Sequence, residues 1–198
     1  VEITNDDSAT ISITTAASLL ETDAATTHAF TVDSDADIQT IDGSTGLTNN
    51  FAIGVATSDD TATSVGSFTG ASDFTAATFT LSGWDGLSAG AVGGNSIAII
   101  GDEIVETDES FDINLPADGA GGTNLAGMAA SITLTTPAAV EITNDDSATI
   151  SITTVASLLE TDAATTHAFT VNSDADIQTI DGSTGLTNNF AIGVATSD

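Results

Sequence analysis

The sequence predicts an all-β protein built from antiparallel β-sandwich units that repeat with a period of 139 residues. Apolar and polar residues alternate along eight short segments, as in strands with one buried and one solvent-facing side. Segments rich in Gly, Ser, Asn and Asp separate these strands. In addition, the first 59 residues of the chain recur almost unchanged at its end.

The predicted strands follow from the alternating apolar positions. In chain order these are Ile11/Ile13, Phe30/Val32, Phe51/Ile53/Val55, Phe79/Leu81, Ile97/Ile99, Phe111/Ile113/Leu115, Ile132/Leu134 and Val140/Ile142. About eight strands in one period suit a sandwich of two sheets. The segment AASLLETDAA, residues 16–25, has some helical character but is short, so we interpret it as a turn.

The repeat relates Val1–Asp59 to Val140–Asp198, and only two of the 59 positions differ. Ala16 corresponds to Val155, and Asp33 corresponds to Asn172. Such near-identity indicates recent tandem duplication, and internal repeats of this kind are typical of arrays.

The phase of the repeat predicts the domain boundaries. Residues 1–7 are expected to be the last strand of a preceding repeat, 8–146 a complete sandwich, and 147–198 the first half of the next one. The 198 residues are then a window on a longer array, or a protomer whose open sheet edge is completed by another chain. Both interpretations indicate a fibre.

The composition excludes several functions. The chain has 29 acidic residues and no Lys, Arg or Cys, so its formal charge is −29. A partner nucleic acid is not expected, because phosphate binding needs Lys or Arg. Anionic membrane surfaces are disfavoured for the same reason, and no apolar run approaches the ~18 residues of a membrane span. At 40% apolar residues, however, the chain is not a disordered acidic tail.

The acidic residues concentrate in GDEIVETDESFDINL, residues 101–115, which holds six carboxylates and no cation. Residues 1–139 carry 20 acids. In a sandwich roughly 40 Å long, that is about one charge per ~2 Å, close to the ~1.7 Å of duplex DNA. The compensating charge must come from solution, as screening salt or as bound divalent ions. The simpler alternative is a solvated loop that keeps the protein soluble.

Three segments carry a family resemblance. They are GDEIVETDESFDINL, AAVEITNDDSATISI at 138–152, and GVATSDDTATSVGSFTGASDFTAATFTL at 54–81. Together they resemble the Calx-β domain, an immunoglobulin-like calcium-binding sandwich known from sodium–calcium exchangers and large extracellular adhesins. The resemblance covers essentially the whole period.

The resemblance implies one or two Ca²⁺ ions per complete domain at most, bound at one end of the sandwich. The implied ligands are Glu21, Asp73, Asp102, Glu106, Glu109, Asp145 and Asp146. Asp108 lies among them, with an outward orientation as its alternative. Gly101 and Asn144 stand where acid-rich members of the family often carry aspartates, and Asn144 alternatively makes an Asx turn.

Two other residues have a functional and a structural interpretation. His28 lies on the same side of its predicted strand as Phe30 and Val32, so a position at the strand end or core edge is favoured over a ligand role. Trp84, in a Gly-rich segment, either packs against a neighbour or stacks on a sugar ring. We expect no enzymatic activity, since no nucleophile motif such as G-x-S-x-G occurs.

These observations predict a structural component of an extracellular filament, sheath or adhesin stalk at a bacterial or archaeal cell surface. Its partners would be copies of itself, either neighbouring repeats or other subunits. Subunits could complete one another by exchanging strands. The alternative is a calcium-dependent adhesion module that binds surface glycans. A calcium-sensing regulatory domain is a third interpretation, which the near-identical repeat disfavours.

Overall fold

The computed structural model describes residues 6–38, 51–64, 72–82, 90–157, 159, 161–177 and 191–196. Within these ranges the regular structure is entirely β, and no helix is long and apolar enough to cross a membrane. The strands are β1 (Ala9–Thr15), β2 (Ser18–Leu20), β3 (Thr26–Ser34), β4 (Ala52–Asp59), β5 (Thr78–Ser82), β6 (Gly90–Ile99), β7 (Ile104–Val105), β8 (Glu109–Asn114), β9 (Ile132–Thr135), β10 (Ala138–Thr143), β11 (Ile150–Thr154), β12 (Phe169–Ser173) and β13 (Asp176–Ile177).

Two sheets form the sandwich that the alternating pattern predicts. One has the strand order β6–β3–β1–β9 and the other β2–β10–β8–β4–β5. The apolar positions of the alternating segments line the space between the sheets, where Phe74 stacks on Phe111 with ring centroids 4.5 Å apart. Burial of these side chains is the main stabilising contribution, at about 25 cal/mol per Å² of apolar surface.

Within these two sheets the strand pairing is antiparallel except where the two ends of the unit meet. β1 lies parallel to β9, with Ala9 beside Ile132, and β2 lies parallel to β10, with Leu20 beside Thr143. The purely antiparallel prediction is therefore wrong for these two pairs. The physical reason is that the first and last strands run in the same direction, from one end of the sandwich to the other.

The interpretation of residues 16–25 as a turn is also wrong in part, because Ser18–Leu20 form β2. Leu19 is half-buried and packs against the core. β1 and β2 together make one interrupted strand that passes from the interior of the first sheet to the edge of the second. A strand of three residues with a single core contact leaves almost no periodic signal in the sequence.

The second copy of the repeated segment forms an antiparallel hairpin of β11 and β12. Its register pairs Ile150 with Ser173, which is the pairing of Ile11 with Ser34 in β1 and β3, shifted by 139 residues. Beyond this hairpin, β13 pairs in parallel with β7, which lies in the loop between β6 and β8 of the two-sheet sandwich. Of the predicted preceding strand, residues 1–5 lie outside the described residues, and the predicted domain boundaries stay a prediction.

Candidate metal centre

Acidic residues gather at one end of the sandwich, because several strands end or begin there. Leu20 at the end of β2 lies beside Thr143 at the end of β10, and Ile142 lies beside Glu109 at the start of β8. The loop 21–25, the loop 100–108 and the segment 144–146 all leave the sheets at this end. These three connections bring together carboxylates that are far apart in the sequence.

The inner cluster consists of Asp73, Glu106 and Glu109. One carboxylate oxygen from each lies within 4.8 Å of those of the other two. Asp73 and Glu109 are each 7% exposed, and Glu106 is half-buried. Three acids this close, at the edge of an apolar core and with no Lys or Arg in the chain, form an unusual arrangement, because isolated buried charge is strongly unfavourable.

Local structure explains why these acids point inward. Glu109 is in phase with Phe111 and Ile113 along β8, so the two-residue strand period directs it to the core face. Asp73 directly precedes the fully buried Phe74. Its carboxylate is fixed by the backbone N–H of Thr63, which donates to Oδ2 at 2.5 Å.

The carboxyl groups at this end of the sandwich have raised pKa values, as expected for acids that are buried together without a positive charge. Burial, and then the negative charges of Asp102 and Asp73, raises the pKa of Glu21 to about 7. Burial and then Asp73 likewise raise the pKa of Glu106 to about 8. The pKa of Glu109 is also raised, by burial first and by Asp73 second. At neutral pH the metal-free protein therefore retains protons on carboxyl groups that are normally ionised.

Two buried carboxylate oxygens make no hydrogen bond within the described part of the chain. They are Oε1 of Glu106 and Oδ2 of Asp146. A buried polar atom without a partner costs about 1–3 kcal/mol, and such atoms are rare in folded proteins. A bound cation would supply the missing partner, so the residues present fit a metal ion.

The outer cluster consists of Asp23, Asp145 and Asp146, whose carboxylate oxygens also lie within 4.8 Å of one another. Asp146 is half-buried and the other two are exposed. Burial, followed by the charges of Asp145 and Asp23, raises the pKa of Asp146. This cluster lies where the complete sandwich passes directly into residues 147–157.

The remaining polar residues of this end hold the loops in place. Asn144 accepts a hydrogen bond at Oδ1 from the N–H of Asp146 at 3.0 Å, which is the Asx turn considered from the sequence. Its side-chain amide donates to the carbonyl of Ile104, and its N–H donates to Oδ1 of Asp108. Asp102 accepts from the N–H of Ile104 at 2.8 Å. These contacts join the acidic loop to the last strand.

The structure thus brings together five of the eight predicted ligands in the two clusters. Glu21 is buried beside them and Asp102 lies close enough to shift its pKa, whereas Asp108 is exposed and bonded to Asn144. The sequence analysis missed Asp23, which follows Glu21 by two residues in the same loop. The only sequence signal for Asp23 was its position two residues after Glu21 in the same loop.

The two residues with alternative interpretations do not join the clusters. His28 is buried, with Nε2 2.5 Å from the Thr15 hydroxyl and its ring edge-on to Phe111, so the core-edge position is confirmed. Burial lowers its pKa. Trp84 lies outside the described residues, and both interpretations of it stay open.

Gly101 has a steric reason to carry no side chain. A Cβ atom there would overlap the carbonyl oxygen of Thr22 and come within 2.8 Å of that of Ala24. We expect Gly101→Ala to push apart the loops 21–25 and 100–108, lowering stability by about 1–3 kcal/mol and weakening cation binding. The control is Gly94→Ala, where the added methyl meets nothing within 4 Å. Equal urea midpoints for the two variants would contradict this account.

The donor set consists of oxygen atoms alone, which suits hard cations and disfavours Zn²⁺ or Cu²⁺. Within each cluster the carboxylate oxygens lie within 4.8 Å of one another, which is close enough to share one such cation. The protein is an all-β sandwich with an acidic end suited to a hard cation.

No protein-family model matches the chain, and no curated protein matches it. Solved structures similar to it include the apo-form Calx CBD1 domain, at 19% identity and TM-score 0.40, covering 69% of this chain and 98% of that one. CBD12 from CALX1.2 is 19% identical with a TM-score of 0.41, and the match covers 69% of this chain and 46% of that one. The calcium binding domain CBD12 of CALX1.1 is 19% identical with a TM-score of 0.39, and the match covers 69% of this chain and 44% of that one. These neighbours are Calx-β domains, the family that the sequence motifs resemble.

Proposed function

We propose that this chain is a calcium-stabilised structural module of an extracellular filament, sheath or adhesin stalk. The observation that carries the proposal is the inner cluster, in which three acids lie at the core edge with one unpartnered oxygen, in a chain without Lys or Arg. Sites of this kind are unfavourable when empty and favourable when a cation is present. An environment rich in calcium, such as the outside of a cell, suits them because extracellular modules bind Ca²⁺ at about 10⁻⁴–10⁻³ M.

The two clusters support a capacity of one or two ions per complete sandwich. The inner cluster is largely buried and the N–H of Thr63 fixes the carboxylate of Asp73, so we expect this cluster to bind more tightly. The outer cluster has two exposed members and lies at the passage into the next segment. An ion there would join residues of the loop 21–25 to the segment 144–146 and would restrain the joint.

The repeat supports the structural role. Residues 8–146 hold a closed two-sheet core, and residues 147–177 begin the same strand pairing again without a linker. β13 also pairs with β7, which lies in the acidic loop between Asp102 and Glu106. A string of such units with ion-restrained joints would be a stiff rod, and its partners would be further copies of the same unit.

A calcium titration by isothermal calorimetry tests the proposal. We expect the wild-type protein to bind one or two Ca²⁺ ions. Asp73→Asn should remove the inner ion, because it neutralises one of three ligands, and Asp23→Asn should weaken the outer site about tenfold, or ~1.4 kcal/mol.

The repeat provides a matched control. Asp162 occupies the position of Asp23 in the second copy, within the same local sequence, and is exposed. Asp162→Asn should leave both binding steps unchanged. Binding heats that are absent in the wild type, or reduced equally by Asp23→Asn and Asp162→Asn, would show that the acids are only solvated.

A further inference from the structure

Two apolar residues of the acidic loop 100–108 lie outside the core of the sandwich. Ile104 and Val105 are half-buried, yet among the described residues neither belongs to the hydrophobic core nor packs against it. They form β7, which pairs in parallel with Asp176 and Ile177 of β13. One edge of β7 is therefore occupied by the second copy of the repeat.

The other edge of β7 is held by the sandwich to which it belongs. The N–H of Ile104 donates to Oδ1 of Asp102 at 2.8 Å, and its carbonyl accepts from the side-chain amide of Asn144 at 3.0 Å. Successive residues of a strand direct their backbone groups to opposite sides, so those of Val105 face away from Asn144. β7 thus has one edge for its own unit and one for the unit that follows.

Asp174 holds β13 beside the start of the second copy. Its N–H donates to the carbonyl of Thr149 at 3.2 Å, and its Oδ1 accepts from the N–H of Thr149 at 2.5 Å. The first copy contains the same turn, in which Asp35 makes the same two hydrogen bonds. There Ile38, the counterpart of Ile177, is 5% exposed and belongs to the core. In a complete sandwich this segment is therefore anchored in its own unit.

These contacts close a ring around the joint between the two copies. Along the chain, only residues 145–148 separate Asn144 from Thr149. Asn144 is bonded to the loop that contains β7, and Thr149 is bonded to the turn that leads into β13. The pairing of β7 with β13 joins that loop to that turn. A joint held at two separate places resists swivelling, whereas a joint held by the chain alone does not.

We infer that β7 is the docking edge for the following repeat, and that its pairing with β13 locks each repeat against rotation relative to the one before it. The segment Ser-Asp-Ala-Asp-Ile occurs at 34–38 and again at 173–177, so each copy carries the docking strand. This rotational lock is made by the backbone and by an apolar pair, so it needs no bound ion. It deepens the proposed rod and rests on it, but acts at a different place from the outer cluster.

A disulfide across the two strands tests the lock in the full-length chain, which has no cysteine of its own. Val105 and Ile177 are register partners. Neighbouring strands lie about 4.8 Å apart, within the range of roughly 4.4–6.8 Å between the Cα atoms of a disulfide. Val105→Cys with Ile177→Cys should therefore crosslink within one chain at an effective concentration well above the ~1 mM of a flexible tether. The measurement is the intramolecular crosslinking rate in a thiol–disulfide buffer.

The matched control pairs Val105→Cys with Ile38→Cys, because Ile38 has the same local sequence one period earlier. β3 begins at the acidic end of the sandwich and runs from Thr26 to Ser34, a length of about 26 Å. Ile38 follows the far end of this strand and is out of reach of the acidic loop. The control pair should crosslink no faster than a flexible tether.

A second pair of variants separates the lock from simple proximity. Asp174→Ala releases β13 from Thr149 and should slow the crosslinking of the pair Val105→Cys with Ile177→Cys. Asp35→Ala removes the same contact from the first copy and should leave that rate unchanged. Equal slowing by the two substitutions would contradict the ring of contacts at the joint.

All rates are compared in calcium and in chelator at about 0.15 M salt, where exposed charges are screened over ~8 Å. The lock requires fast crosslinking of the pair Val105→Cys with Ile177→Cys in both solutions. Equal rates for this pair and the control pair would overturn the inference. So would fast crosslinking in calcium alone, because the ion would then hold the joint. Calcium binding is measured separately by calorimetry, so a failure of the proposed function is distinguishable from a failure of the lock.

Discussion

Saturating calcium is expected to raise the unfolding temperature of this protein by roughly 5–15 °C, measured at constant ionic strength against chelator. A ligand at about 100 times its dissociation constant stabilises a one-site protein by ~2.7 kcal/mol. In a domain of this size, each kcal/mol corresponds to several degrees. Magnesium at the same concentration should give a much smaller shift, because Mg²⁺ demands near-ideal octahedral geometry and gives up its water ligands reluctantly.

Glu109→Gln should stabilise the metal-free protein and remove most of its stabilisation by calcium. The metal-free wild type has to keep Glu109 protonated far above the ordinary pKa of a glutamate, because the side chain is buried beside Asp73. A neutral amide removes that cost, so we expect the metal-free variant to be more stable than the metal-free wild type by about 1–4 kcal/mol at pH 7.5. The same change removes a ligand and should abolish most of the calcium shift.

Glu103→Gln is the control for this pair of effects. Glu103 lies in the same loop but is exposed, so the substitution changes the net charge equally without altering the cluster. It should leave both the metal-free stability and the calcium shift almost unchanged. If Glu109→Gln destabilised the metal-free protein, or if both variants kept the calcium shift, the inner cluster would not be a cation site.

The metal-free protein is expected to lose stability as the pH rises from about 5 to about 8, between the unfolded and the folded pKa values of two glutamates. Glu21 and Glu106 have pKa values raised to about 7 and about 8 in the folded state. A carboxyl group with a raised pKa binds more protons in the folded state than in the unfolded state. Its stabilising contribution is complete below the unfolded pKa and is lost as the pH rises through the folded value.

Calcium should oppose this loss, since metal ligands must be deprotonated and the ion therefore binds more tightly at higher pH. The free energy of unfolding from urea titrations in chelator should fall over this range by an amount on the order of 1–4 kcal/mol, while that in saturating calcium should change little. Glu106→Gln should make the metal-free curve shallower. A metal-free curve that is flat or rises with pH would show that the carboxyl groups are ionised and solvated throughout.

The sequence predicted the sandwich well, because its longer strands bury one side and expose the other. Phe111, Ile113 and Leu115 show this period clearly, and in the structure the same period places Glu109 on the core side. β2 and β7 were missed because strands of three and two residues cannot display a period. The parallel pairs β1–β9 and β2–β10 depend on which strands become neighbours, which alternation does not specify.

The candidate site could be predicted in part. The acidic loop and the terminal aspartates were found through the family motifs, but which acids share an ion depends on how three distant loops meet. Asp23 joins the outer cluster because β2 pairs with β10, and β2 itself was not predicted. Asp108 looks like its acidic neighbours in sequence, yet it caps Asn144. Gly101 is explained by the close approach of the backbone at Thr22 and Ala24, which the sequence pattern does not reveal.

The parallel pairing of the terminal strands has a mechanical consequence. Tension applied through the two ends of the unit pulls β1 and β10 in opposite directions along their axes. The hydrogen bonds of β1 with β9 and of β2 with β10 run across that direction. Force therefore loads these bonds together, in shear, and they cannot open one at a time as in a peeled hairpin. In the proposed stalk, the terminal strands of each unit would resist stretching in this way.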